Sequence, residues 1–148
     1  MSDDEQRLFT LSEAEQTRTR IEPVLISAME SRRKLADLEA ILLALTERIV
    51  RMGGIAVQYD QAANSRLERD RAAASLQAAV TQIHSTGCVV KDLDMGLLDF
   101  PARIGNEDVY LCWRLGEDRI RFYHRQDEGF AARKPIDPRD AGYSNPVQ

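Results

Sequence analysis

Residues 88–136, CVVKDLDMGLLDFPARIGNEDVYLCWRLGEDRIRFYHRQDEGFAARKPI, decide the fold of this chain. This stretch contains the only Trp, both Cys and one of the two His, and glycines divide it into short apolar segments. The residues before it instead repeat apolar side chains at helical spacing. The sequence therefore predicts an α+β protein, with a long antiparallel two-helix hairpin (coiled-coil-like, residues 10–86), a small three-stranded antiparallel sheet (88–136) and a flexible tail (137–148).

The three strands are predicted over residues 97–103, 108–115 and 118–124. Gly105-Asn106 and Gly116-Glu117 are typical of two-residue hairpin turns. The resulting pairs are Leu98–Trp113, Phe100–Leu111 and Ala102–Val109 in the first hairpin, and Trp113–Ile120, Leu111–Phe122 and Val109–His124 in the second. Nearly all of these residues are apolar, and a slip by one residue would scatter them over both faces. This face is therefore predicted to lie against the core.

The opposite face of the sheet carries the ligand-binding candidates. In the predicted register Arg114 lies directly opposite Arg119, which is unfavourable unless an anion or a carboxylate separates the two. The chain is therefore expected to bind an anionic ligand or an acidic partner through this face. The alternative is a solvated surface with internal ion pairs. The candidate residues are Asp99, Tyr110, Cys112, Arg114, Arg119, Arg121 and Tyr123.

A divalent metal is the second candidate ligand, with His124, Asp127 and either Asp92 or Asp94 as its binding residues. His124 could equally be a hydrogen-bonded histidine at the edge of the core. The combination of His84, Cys88, Cys112 and His124 does not have the ligand spacing of the usual zinc sites.

Cys112 is the third candidate, as a nucleophile. On the predicted face Arg121 would lower the pKa of its thiol and Asp99 would raise it. No histidine shares that face in the predicted register, so no catalytic residue is assigned, and the pattern favours a protein without enzymatic activity.

The helical hairpin has readable boundaries. Thr10 and Glu13 have capping-box spacing at the start of the first helix, Gly53-Gly54 ends it, and the second helix is predicted over residues 57–84. The predicted seams are Leu35, Leu38, Leu42, Leu45, Ile49 and Met52 in the first helix, and Ala73, Leu76, Val80 and Ile83 in the second.

The seam of the first helix carries larger side chains than the Ala-rich second helix can cover. Uncovered apolar surface on a hairpin of this kind is typical of dimers. The sequence therefore favours a non-enzymatic binding or scaffold module that forms a homodimer through its hairpin. The alternative function is a small metal-binding protein, or a metal-dependent enzyme that uses His124 and nearby carboxylates.

Composition places the chain among cytoplasmic proteins. The net charge of −4 argues against nucleic acid as a partner. No apolar run approaches the roughly 20 residues that a membrane helix needs, and the acidic start MSDDEQR does not resemble a signal peptide. The spacing of Cys88 and Cys112 indicates reduced thiols rather than a disulfide framework.

Three segments resemble a bacterial family of domains of unknown function, DUF2203. They are KDLDMGLLDFPA (91–102), VYLCWRLGE (109–117) and YHRQDEGFAARKPI (123–136), and the start FTLSEA (9–14) also fits. The chain departs from the family at Tyr123, where the family more often has Trp, and in its many Arg residues. The resemblance implies an uncharacterised bacterial group and supplies no catalytic residues.

Overall fold

The computed structural model describes residues 7–53 and 55–137. The helices are α1 (Leu11–Met52) and α2 (Ala56–Ser85), and the strands are β1 (Val89–Asp92), β2 (Leu97–Ile104), β3 (Glu107–Arg114), β4 (Phe122–Arg125) and β5 (Lys134–Pro135). The α+β class and the pair of packed helices are confirmed, but the antiparallel sheet has five strands in the order β1-β2-β3-β4-β5 rather than three. The predicted flexible tail lies outside the described residues, apart from Asp137.

The described chain forms two compact units, and the boundary falls inside both helices. The sheet unit comprises the residues up to Leu25 together with those from Val80 onward. The hairpin unit comprises Ile26–Ala79. No helix in the described ranges is long and apolar enough to cross a membrane.

The predicted capping box forms at the start of α1. The Thr10 amide donates to the Glu13 carboxylate at 2.9 Å, and the Glu13 amide donates to the Thr10 hydroxyl at 3.1 Å. Just before it, the Phe9 amide donates to the Pro101 carbonyl at 2.7 Å. The Phe9 ring packs edge-on against the Phe100 ring, with 5.3 Å between the ring centroids. These contacts anchor the start of α1 on β2.

In the hairpin unit the two helices bury one seam against each other. Leu42 and Leu45 of α1 pack with Ala62 of α2, and Ile49 adds to this cluster. Other buried seam positions are Leu38, Ala72 and Ala79. Two predicted seam residues, Met52 and Ala73, are exposed, whereas Val80 is half-buried and the buried alanines of α2 include Ala72 and Ala79.

The first strand hairpin has the predicted register. Leu98 pairs with Trp113, Phe100 with Leu111, and Ala102 with Val109. All six side chains are buried. The turn at Gly105 adopts φ +59°, the left-handed conformation that favours glycine, so the Gly-Asn dipeptide fixed this register correctly.

The second hairpin differs from the prediction by one residue. His124 pairs with Tyr110 rather than Val109, and Phe122 pairs with Cys112 rather than Leu111. Since side chains alternate between the two faces of a strand, this shift moves His124 to the face of Asp99 and Cys112.

The reason for the shift is the longer connection between β3 and β4. The Arg114 amide donates to the Glu117 carboxylate at 2.7 Å, which closes the end of β3. The Ile120 amide then donates to the Glu15 carboxylate of α1 at 2.9 Å, and Ile120 is buried. The chain around Ile120 is thus bonded to α1 instead of β3, and β4 begins only at Phe122.

The two strands beyond the predicted three are short. β1 has four residues and pairs with β2, whereas β5 has two and pairs with β4. Neither is long enough to show an alternating pattern. In the five-stranded sheet the second face, opposite the apolar core face, is also buried. Its buried residues are Asp99, Pro101, Cys112 and His124.

Candidate functional site

Three buried side chains from adjacent strands meet on this second face of the sheet. They are Asp99 of β2, Cys112 of β3 and His124 of β4, and their potential ligand atoms all lie within 4.8 Å of one another. Asp99 is the Cα partner of Cys112, and His124 of β4 pairs with Tyr110, two residues before Cys112 on β3. We call this group the Asp-Cys-His cluster.

The hydrogen bonds of His124 fix where its protons lie. Nδ1 lies 2.8 Å from the Arg125 carbonyl oxygen, which can only accept, so Nδ1 carries a hydrogen. Nε2 lies 3.1 Å from the Asp99 carboxylate. One further proton must therefore lie between Nε2 and the carboxylate, either as an imidazolium–carboxylate pair or as a neutral imidazole with a carboxylic acid.

Burial dominates the acid–base properties of the other two members. It raises the pKa of the Asp99 carboxyl above its ordinary value, although the neighbouring His124 acts in the opposite direction. Burial, reinforced by the Asp99 charge, raises the pKa of the Cys112 thiol to about 12, and the nearby Arg133 opposes this rise. At neutral pH Cys112 is therefore a thiol.

Arg133 is the cation next to the cluster. Its guanidinium lowers the pKa of the nearby Cys112 thiol, and it forms two bonds with the Glu117 carboxylate, at 3.1 and 3.0 Å. It lies over the rings of Phe122 and Phe130, at 4.2 and 4.1 Å from their centroids. Such cation–π contacts and a two-bond carboxylate pair hold a guanidinium in a fixed orientation.

Neither Arg133 nor Glu117 was among the predicted site residues. Both lie in segments that carry the family resemblance, and only that resemblance could have indicated them as site residues. The prediction instead placed Arg121 beside Cys112, but Arg121 lies outside the strands and is paired with Asp118 at 2.9 and 2.8 Å.

The predicted opposition of Arg114 and Arg119 does not occur. Arg114 ends β3 opposite Leu97, and its guanidinium lies 5.8 Å from the Phe130 ring centroid. Arg119 lies in a bend between β3 and β4. The sequence predicted an anion site on the sheet face from the repulsion between Arg114 and Arg119. This repulsion is absent, because the two residues are not paired.

The two predicted tyrosines lie on opposite faces. Tyr110 pairs with His124, and their ring centroids are 5.6 Å apart. Tyr123 pairs with Leu111 and so shares the face of the apolar core. Tyr110 is thus the predicted aromatic residue that lies beside the cluster.

The predicted metal ligands are only partly brought together. His124 belongs to the cluster, but its carboxylate neighbour is Asp99 and not Asp127, which is exposed and lies 3.7 Å from Arg125. The Asp92 carboxylate accepts a bond from the Met95 amide at 3.1 Å. Asp94 is exposed on the connection after β1.

His124 lies on the same sheet face as Cys112, contrary to the predicted register. Nucleophilic catalysis by Cys112 would also need a histidine nitrogen directed at the thiol. His124 directs Nε2 to the Asp99 carboxylate, at 3.1 Å, rather than to the Cys112 thiol. A thiol whose pKa is raised by burial is a poor nucleophile. This arrangement favours ligand binding over covalent catalysis.

A separate groove of about 510 Å³ lies in the sheet unit. Its apolar lining residues are Leu11, Ile120, Phe122, Pro135 and Ile136, and its charged lining residues are Glu15, Arg119 and Arg121. Two of the charged lining residues belong to ion pairs, because Glu15 pairs with Arg18 at 3.0 Å and Arg121 pairs with Asp118. The positive charge of Arg119 is not balanced by either pair. We call this the arginine groove.

Comparison with known proteins gives a family and no activity. No curated protein and no solved structure matches the chain. The model of a family described as uncharacterized conserved protein (DUF2203) matches residues 7–136, which include both long helices and all five strands. The chain therefore belongs to the DUF2203 family.

Proposed function

We propose that this protein is a non-enzymatic binding module that forms a homodimer through its hairpin unit. One observation carries the proposal. Of the nine large apolar side chains that are exposed in the described chain, eight lie in Ile26–Ala79. They are Ile26, Ile41, Leu43, Val50, Met52, Ile55, Tyr59 and Leu67.

These side chains lie outside the seam that joins α1 to α2. Leu43 follows the buried Leu42 and points about 100° further around the helix, and it is 64% exposed. Val50, two turns later on the same side of α1, is 78% exposed. Intramolecular packing therefore leaves one side of α1 uncovered. Single exposed apolar residues are common, but a concentration of them marks an interaction surface.

The charge of the hairpin unit supports a second copy as the partner. Residues 26–79 contain eight basic and seven acidic side chains, so two copies do not repel each other strongly. Two helical hairpins that associate form a four-helix bundle, which buries apolar sides that a single hairpin exposes. We call the side of α1 that carries Leu43 and Val50 the dimer face.

The test compares two charge insertions of the same kind. Leu43→Glu should abolish the dimer by burying a carboxylate in the interface, whereas Leu8→Glu changes the ninth exposed apolar residue, which lies outside the hairpin unit, and should leave the dimer intact. Light scattering coupled to size exclusion measures the mass, and circular dichroism checks the fold. Equal masses for both variants and the wild type would rule out the dimer face.

The arginine groove supplies the ligand site of the proposed module. Its volume lies within the roughly 300–1,000 Å³ of small-molecule sites, and its lining combines five apolar side chains with two cations, Arg119 and Arg121, and one carboxylate, Glu15. That combination suits an amphipathic anion, with its apolar part against Phe122 and Ile136 and its charged group at Arg119. The anionic ligand expected from the sequence is thus proposed for this groove and not for the strand face.

A further inference from the structure

We propose that the Asp-Cys-His cluster binds a divalent cation of the Zn²⁺ type, through one Asp99 oxygen, the Cys112 sulfur and Nε2 of His124. This site is independent of the dimer face and of the arginine groove.

The positions of the three atoms suit a common cation. Zinc binds nitrogen and oxygen at about 2.0 Å and sulfur at about 2.3 Å, so two atoms on one tetrahedral ion lie about 3–4 Å apart. His124 Nε2 and Asp99 Oδ1 are already 3.1 Å apart, and all three atoms lie within 4.8 Å. Because the residues lie on adjacent strands, only small side-chain movements are needed to bring the three ligand atoms to this spacing.

The hydrogen bond on the other side of the imidazole also suits a metal ligand. Metal-bound histidines usually donate their second N–H to a carbonyl or a carboxylate, which fixes the ring and leaves the other nitrogen for the ion. His124 donates from Nδ1 to the Arg125 carbonyl and directs Nε2 into the cluster. A cation at Nε2 would replace the proton that His124 and Asp99 share.

Charge balance favours a doubly charged ion. Binding releases the Cys112 thiol proton to solvent, and the Asp99 carboxylate and the resulting thiolate then carry two negative charges, which one divalent cation neutralises. The adjacent cation, Arg133, is already balanced by Glu117. A buried site is stable when its charges are paired, and here all of them are.

The donor atoms define the class of ion. Thiolate and imidazole select zinc-like transition ions, whereas Mg²⁺ and Ca²⁺ prefer sites made entirely of oxygen. Three protein ligands are the number found in zinc sites that keep a position for water or a substrate. The inferred ion is therefore Zn²⁺, with Co²⁺ as its spectroscopic substitute.

The experiment is a Co²⁺ titration of the full-length, metal-stripped protein, followed by absorption. The wild type should bind one equivalent and develop a thiolate-to-cobalt charge-transfer band in the near ultraviolet. Cys112→Ser should lose this band, and Cys88→Ser should keep it, because Cys88 is equally buried but lies outside the cluster. His124→Gln should weaken Co²⁺ binding by at least about 100-fold, more than the loss of an outer hydrogen-bond partner costs.

Two results would overturn the site. One is a wild-type titration without a charge-transfer band, and the other is a band that survives in Cys112→Ser or disappears in Cys88→Ser. ¹¹³Cd NMR of the wild type tests the same claim without a variant. A single resonance with the shift of a one-thiolate site supports the proposal, and a shift typical of oxygen ligands alone contradicts it.

Discussion

Nε2 of His124 lies 3.1 Å from Oδ1 of Asp99, and both side chains are 1% exposed. The contact crosses β3, because Asp99 lies on β2 and His124 on β4. A one-residue slip of either hairpin would turn one partner to the other face of the sheet. The pair therefore depends on the registers of both hairpins at once.

Removal of one member of this pair should be costly. Asp99→Ala leaves the buried His124 without its partner, and we expect the free energy of unfolding to fall by about 3–5 kcal/mol. Urea denaturation of the metal-free protein measures it. Asp118→Ala, at an exposed carboxylate that pairs with Arg121, is the control and should leave the free energy of unfolding nearly unchanged. Equal losses in the two variants would show that the buried pair does not stabilise the sheet.

Trp113 should be the largest contributor to the core of the sheet unit. It is fully buried, its indole N–H donates to the Glu117 carbonyl at 3.1 Å, and Arg18 lies 5.3 Å from its ring centroid. Trp113→Ala should lower the free energy of unfolding by about 3–5 kcal/mol. Because this is the only Trp, the wild-type emission should be that of a buried indole and shift to the red on unfolding. An emission maximum already typical of exposed indole in the native protein would contradict the packing.

The arginine groove should prefer an anion with an apolar chain. We expect octanoate to bind, as measured by isothermal titration calorimetry, and octyltrimethylammonium, which has the same chain with a positive head, not to bind. Arg119→Gln should weaken octanoate binding, since it removes the cation that the lining pairs do not offset.

Arg103→Gln is the matched control for the groove. Arg103 is an exposed arginine of β2 that pairs with Asp108 at 2.9 Å and does not line the groove. Octanoate should bind this variant as it binds the wild type. If octanoate bound both the Arg103 and the Arg119 variant equally weakly, the effect would come from the net charge of the protein and not from the groove.

The sequence was sufficient where a local rule determined the geometry. The Thr10–Glu13 box requires only residues three apart, and the Gly105-Asn106 turn fixes the first register by itself. These features do not depend on distant parts of the chain, so propensity and spacing predict them.

The second register failed because a distant contact determines it. The bond from the Ile120 amide to Glu15 joins residues 105 positions apart, and no pattern around Gly116 reveals it. The error moved His124 to the wrong face and so hid the Asp-Cys-His cluster, although all three of its members were predicted as site residues. Arg133 was missed for a similar reason, because its position beside Cys112 depends on the chain that follows β4.

The self-association of the hairpin unit is the central claim, and sedimentation equilibrium of the wild-type protein tests it most directly. The chain has a mass of 16.7 kDa. The proposal predicts a solution mass of about twice that value at micromolar concentrations, since obligate interfaces of apolar helices are typically large and stable. A mass that remains that of one chain up to high micromolar concentration would contradict it.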